Sequence, residues 1–280
     1  MAVFHATIMA KSLFRTVPVT VILPTDKLYF PGMPAREEGK PYKTLYLLHG
    51  IPGDNTDWIY GTRVKRFAEE NELCVVMPSG ENGMYLDQPW AGTCYSEFIG
   101  QELVDFIRKT FPVSDKREDT YIGGLSMGGY GALYNGMKYS DTFGAVAAFS
   151  SALLVDETMP EEAPLQIFPT DRTEVKKALY GSDLEAAAKS DRNLYVMTEK
   201  KLAAGERFPD IFMTCGEDDF LREKNDAFAA FLKEKGVPVT YEVSPGNHEW
   251  DFWDRSLEKA MKWLPLEHGF ESQSSGNVGR

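Results

Sequence analysis

The segment Gly124-Leu125-Ser126-Met127-Gly128 is a G-x-S-x-G pentapeptide. A serine hydroxyl becomes a useful nucleophile only when a base removes its proton. It meets a substrate only if the chain turns sharply enough to expose it, and the flanking glycines leave room for that turn. Five residues can match by chance, so the neighbours decide. Thr120 to Ile122 reads as a short strand before the motif. Met127 to Met137 follows it, small and apolar, and Gly128, Gly129, Gly131 and Ala132 let such a helix lie close to a sheet. A strand, a tight turn and a helix are the setting in which this serine is presented for acyl transfer.

The chain holds His5, His49, His248 and His268. Where a strand–serine–helix turn carries the nucleophile, the acid and then the histidine follow it in sequence. That order excludes His5 and His49. His268 lies beyond Pro265 and reads as a surface residue, whereas His248 follows the apolar run Val239 to Val243 on the loop Pro245-Gly246-Asn247. His248 is therefore the expected general base. The acid should lie after the run Ile211 to Cys215, where Glu217, Asp218 and Asp219 are adjacent. Neighbouring carboxylates repel and point apart. Asp219, third after Gly216, gives the loop room to turn; Asp218 is its competitor. The tetrahedral intermediate also needs donors. Met127 supplies one backbone N–H. The second comes from His49-Gly50-Ile51-Pro52-Gly53, and since Pro52 has no N–H, Ile51 or Gly50 must give it. His49 itself reads as structural.

These residues need a frame that brings distant loops to one edge. Phe4 to Met9 and Val17 to Leu23 read as an antiparallel pair opening the chain. Leu45 to Leu48, Leu73 to Met77, Thr120 to Ile122, Phe143 to Phe149, Ile211 to Cys215 and Val239 to Val243 read as buried strands. Helices at Phe98 to Thr110, Arg222 to Lys235 and Phe252 to Trp263 alternate with them. The pattern predicts an α/β fold: a mostly parallel central sheet with helices on both faces. Residues 1–268 form one expected domain. About 152–208 breaks the alternation, with short helical patterns at Glu174 to Tyr180 and Leu184 to Ala188, and is expected to be a cap insertion over the site. Within it, Met159, Leu165, Ile167 and Phe168 are candidates for an acyl pocket, with Trp90 and Tyr95 from a neighbouring loop. Residues 269–280, rich in serine, glycine and asparagine, read as a disordered tail.

The bulk numbers narrow the partners. A 280-residue chain with 43% hydrophobic residues can bury a large core. Its formal charge of −12 disfavours nucleic acid and anionic membrane. No apolar run is long enough to span a bilayer, and no signal peptide is read. Cys74, Cys94 and Cys215 form no close pair, which fits reduced thiols in a cytoplasmic protein. No metal-ligand motif such as H-E-x-x-H occurs. These numbers leave a small-molecule substrate, with no cofactor or metal, as the expectation.

Four ordered stretches carry a resemblance: Leu47-Leu48-His49-Gly50-Ile51-Pro52-Gly53, the run from Gly124 to Ala132, Gly216-Glu217-Asp218-Asp219-Phe220-Leu221, and Gly246-Asn247-His248-Glu249-Trp250. Together they resemble the esterase-D-like group of the α/β-hydrolase fold, and within it the bacterial tributyrin esterases. The likeness runs from about Phe4 to Trp263. It implies Ser126, Asp219 and His248 as catalytic residues and Ile51 and Met127 as oxyanion donors. It further implies metal-independent hydrolysis of short acyl esters through an acyl-enzyme, often by a homo-oligomer. The group also contains feruloyl and acetylxylan esterases and S-formylglutathione hydrolases. The last usually carry histidines where this chain has Leu125 and Tyr130, which argues against a glutathione thioester as substrate.

Overall fold

The computed structural model describes residues 1–27, 36–158 and 172–267. The strands are β1 (Ala2–Ala10), β2 (Arg15–Leu23), β3 (Lys43–Leu48), β4 (Leu73–Pro78), β5 (Asp87–Gln88), β6 (Thr93–Cys94), β7 (Thr120–Leu125), β8 (Ala145–Phe149), β9 (Asp210–Gly216) and β10 (Val239–Ser244). Eight of them form one sheet in the order β1-β2-β4-β3-β7-β8-β9-β10, while β5 and β6 make a small separate hairpin. β1 and β2 pair antiparallel, as does β2 with β4. From β4 to β10 every pairing is parallel.

Side-chain alternation sorts the core into two layers. Tyr46, Leu48, Cys74, Val76, Ile122, Val146, Ile211 and Met213 face one way. Leu45, Leu47, Val75, Tyr121, Ala147, Phe149 and Phe212 face the other. Strands covered on both faces read as continuous apolar runs, which is why the sequence shows no alternation there. Helices α1 (Asp57–Gly61), α2 (Val64–Glu70) and α10 (Trp250–Trp263) cover the second face, through Trp58, Phe67, Phe252 and Leu257. The first face is covered by α4 (Leu103–Thr110), α5 (Met127–Lys138) and α9 (Arg222–Glu234). α4 continues a single turn, α3 (Tyr95–Glu97), through a π-helical stretch at Phe98–Glu102. The described part of the expected cap holds α6 (Arg172–Tyr180), α7 (Leu184–Ala188) and α8 (Leu194–Ala204). The α/β-hydrolase expectation thus holds, with helices on both faces of a mostly parallel sheet.

Boundaries differ where a turn intervenes. The strand expected from Phe143 starts at Ala145, because Thr142 and Phe143 donate back to the Tyr139 carbonyl and Gly144 to Thr120. Helices α1, α2 and α8 had no counterpart in the sequence reading. The expected tail at 269–280 lies outside the described residues. Cys74 and Cys215 are buried, and burial pushes both thiols up to about 12. No helix among the described residues is long and apolar enough to cross a membrane.

Candidate active site

Ser126 lies between β7 and α5 with φ of +53°, a conformation that costs a non-glycine residue energy and persists only where the surroundings enforce it. They do so by hydrogen bonds. Its N–H donates to Phe149 O at 2.9 Å, and its carbonyl accepts from Tyr130 N and Ala152 N, each at 3.0 Å. Close approach does the rest. A Cβ on Gly124 would stand 2.4 Å from Gly128 O, and one on Gly128 would stand 2.3 Å from Leu48 O. Backbone cannot yield as a flexible side chain can, so both glycines are required for α5 to reach the end of β3.

The loops after β9 and β10 meet at a second pair of glycines. A Cβ on Gly216 would lie 2.4 Å from Gly246 O, and Asp218 N donates to that same carbonyl at 3.1 Å. This contact sets Asp219 against His248. His248 Nδ1 is 3.0 Å from Asp219 Oδ2 and 3.2 Å from Oδ1, and His248 Nε2 is 3.1 Å from Ser126 Oγ. Asp219 has no side-chain exposure. Burial alone would raise its pKa, but hydrogen bonds from His248 and from the Ser150 hydroxyl, with the Leu221 N–H, outweigh burial and hold the carboxyl below its usual value. Asp218 is exposed and Glu217 likewise. Of the three adjacent carboxylates, Asp219 alone reaches the imidazole.

Ser150 escaped the sequence reading. It ends β8, is fully buried and has φ of +47°. Its N–H donates to Thr214 O at 2.8 Å, and its Oγ accepts from Trp253 Nε1 at 3.2 Å. The indole supports the hydroxyl that supports the acid. A serine after a strand carries no spacing rule; only its second positive-φ turn beside the nucleophile marks it.

A cleft of about 630 Å³ opens over Ser126 and His248, lined by Gly50 to Gly53, Asp57, Leu125, Glu249, Trp250 and Trp253. Ile51 lies in that wall, and Met127 opens α5. Outside the regular helices and strands, neither backbone N–H donates a hydrogen bond among the described residues. His49 is buried behind this loop. Its Nδ1 faces Gly50 O at 2.7 Å and its Nε2 faces Gly80 N at 2.8 Å. A ring nitrogen facing a carbonyl must donate and one facing an N–H must accept, so this imidazole is neutral. Burial lowers its pKa to match. His49 is thus a clamp between two loops. Among the described residues, no three His, Cys, Asp or Glu side chains converge to hold a metal.

Two pocket expectations are corrected. Tyr95 is 1% exposed, accepts from Arg15 at 2.7 Å and packs on Phe98, which makes it core and not cleft wall. Trp90 is exposed, but its Nε1 donates to Ala178 O of α6 at 3.1 Å and its ring lies beside Gly181 and Arg192. It fastens the hairpin region to the insertion and does not line the cleft. Met159, Leu165, Ile167 and Phe168 lie outside the described residues. The aromatic wall is instead Trp250 and Trp253, with the Phe220 ring tilted against His248 at 4.7 Å between ring centres.

Known proteins match this arrangement over most of its length. The family described as "Putative esterase" matches residues 10–264. An acetyl esterase of Caldicellulosiruptor saccharolyticus is 36% identical over 272 residues, covering 94% of this chain and 98% of the relative. Among solved structures, the fluorophosphonate-binding serine hydrolase FphF of Staphylococcus aureus superposes with a TM-score of 0.80 at 29% identity, covering 94% of this chain and 98% of that one. The S-formylglutathione hydrolase FrmB of the same organism gives 0.78 at 30% identity, with the same coverage. With its fold, its strained serine and its full-length relatives in agreement, the chain belongs to the esterase family of α/β hydrolases.

Proposed function

We propose that this protein is a serine carboxylesterase acting on short-chain acyl esters, as tributyrin esterases do. One observation carries the reading: a strained Ser126 whose Oγ is 3.1 Å from His248 Nε2, while Nδ1 of the same ring is 3.0 Å from the buried Asp219. His248 Nε2 takes the proton as Ser126 Oγ bonds to the ester carbonyl carbon. Asp219 keeps Nδ1 protonated, so the free lone pair is at Nε2. The tetrahedral oxyanion forms against the Ile51 and Met127 N–H groups, which act there without reorganising. The C–O bond then breaks, the alcohol leaves with the proton from His248, and an acyl-Ser126 ester remains. Water, deprotonated by His248, repeats the sequence and frees the acid.

The relatives support the ester chemistry, since an acetyl esterase matches over 94% of the chain. The cleft supports an ester of small-molecule size, because about 630 Å³ lies within the range of small-ligand sites. A soluble small ester in the cytoplasm is the partner that a charge of −12 favours over nucleic acid or anionic membrane. The test is hydrolysis of 4-nitrophenyl butyrate by the wild type and Ser126→Ala, with fluorophosphonate labelling. Ser126→Ala should lose on the order of 10⁴ to 10⁶ in turnover and all labelling. Normal turnover or labelling by a folded Ser126→Ala protein overturns the reading.

A further inference from the structure

The ionisable groups around the cleft are lopsided. Its wall contains Asp57 and Glu249 beside His248, and among the described residues no lysine or arginine lines it. Asp57 opens α1 and is half-buried; its Oδ2 lies so near the oxyanion loop that a Cβ on Gly53 would stand 1.8 Å from it. Gly53 is therefore what admits this carboxylate to the mouth of the site. Glu249, one residue after the base, also lines the cleft and is exposed. Three arginines on neighbouring elements are engaged elsewhere. Arg63 is paired with Asp254 and Glu258. Arg222 meets Glu217 O and Asp226, and Arg255 meets Pro245 O.

We infer that the cleft selects its ester by charge, admitting neutral and cationic esters and turning away anionic ones, with Asp57 and Glu249 as the selecting residues. The inference rests on the esterase reading of the same site. Two carboxylates at one mouth repel an anion at short range, and because Glu249 is exposed this repulsion weakens as salt screens it. Such repulsion discriminates by building a cost against the wrong partner, with no added attraction to the right one. Glutathione thioesters, which carry a net negative charge, fall in the rejected class. Trp250 and Trp253 add faces on which a cationic or apolar group can rest.

The experiment uses three aryl acetates of matched shape: 3-(trimethylammonio)phenyl, 3-tert-butylphenyl and 3-sulfophenyl acetate. Phenyl pentanoate and phenyl hydrogen glutarate place the charge on the acyl side. Each kcat/KM is measured at pH 8 and low salt and divided by that ester's own hydroxide-catalysed rate. An anion on at least one side should cost roughly tenfold or more relative to its neutral isostere, corresponding to about 1.4 kcal/mol. The ratio should shrink in 0.5 M salt, and also in Asp57→Asn or Glu249→Gln. Glu249 is exposed, so Glu249→Gln and the salt series decide the matter if Asp57→Asn does not fold. If neutral esters turn over but anionic ones do equally well in both series, the charge inference fails and the esterase reading stands. If the penalty survives both salt and substitution, shape selects and not charge. If no ester is cleaved, both fall together.

Discussion

Replacing Asp219 by asparagine should stop catalysis without disturbing the fold, and the geometry says how. Asp219 Oδ1 accepts from Leu221 N at 2.9 Å, while Oδ2 faces His248 Nδ1 at 3.0 Å. In Asp219→Asn the amide oxygen must stay opposite the Leu221 N–H, since an NH2 there would leave two donors face to face in a fully buried site. The NH2 is then directed at Nδ1, which has to accept. The imidazole proton moves to Nε2, 3.1 Å from Ser126 Oγ, and the base no longer has a lone pair for the serine proton. In the serine-protease triad the same swap costs roughly 10⁴ in kcat, about 5.5 kcal/mol of barrier, and a similar loss is expected here. Asp218→Asn, on an exposed neighbour, should stay within about threefold, as surface substitutions do. The assay is 4-nitrophenyl butyrate hydrolysis at pH 8 for both variants, with thermal melts to show that each is folded. A loss under about thirtyfold for folded Asp219→Asn, or a larger loss for Asp218→Asn, refutes the tautomer argument.

Three further outcomes follow from the packing. Ser150→Ala removes a donor to Asp219 and strands the Trp253 N–H, which should cost about 1–3 kcal/mol. Asp219 is held below its ordinary value in the folded state, so the stability it contributes is full above the unfolded pKa near 4 and is lost as pH falls through the lower folded value. Losing the Ser150 hydrogen bond raises that folded value, so acid unfolding followed by circular dichroism should move to higher pH; an unmoved midpoint contradicts the contact. Gly128→Ala puts a Cβ 2.3 Å from Leu48 O and should reduce soluble yield or melting temperature sharply, whereas a wild-type melt would mean that α5 can shift. Across 4-nitrophenyl acetate, butyrate and octanoate, each buried methylene adds about 0.8 kcal/mol until the cleft is full. kcat/KM should therefore be best from acetyl to butyryl and fall by octanoyl, and a faster octanoate would show a longer acyl channel.

The sheet and the serine were legible because both leave periodic or positional marks. Buried parallel strands appear as uninterrupted apolar runs, and the nucleophile carries glycines at fixed offsets. His248 emerged by chain order among four histidines. Asp219 against Asp218 was a matter of one residue in a loop, and only the Gly216–Gly246 contact decides which carboxylate turns inward. Ser150 left no mark at all, since its role comes from a turn and from two partners, Trp253 and Asp219, far away in sequence. Tyr95 misled because an aromatic next to a candidate loop looks the same whether it faces a cleft or a core. α1 and α2 were missed because each is too short to show a helical period.

The aromatic wall of the cleft has an optical consequence. Trp58, Trp250 and Trp253 meet edge to face, with ring centres 5.7 Å and 5.2 Å apart, and Trp253 stands 4.9 Å from the His248 ring. Three of the five tryptophans thus form one cluster of touching rings, two of which, Trp250 and Trp253, line the cleft. A ligand seated on that wall changes the surroundings of two indoles, so tryptophan emission should report occupancy of the cleft with no label and no chromogenic ester.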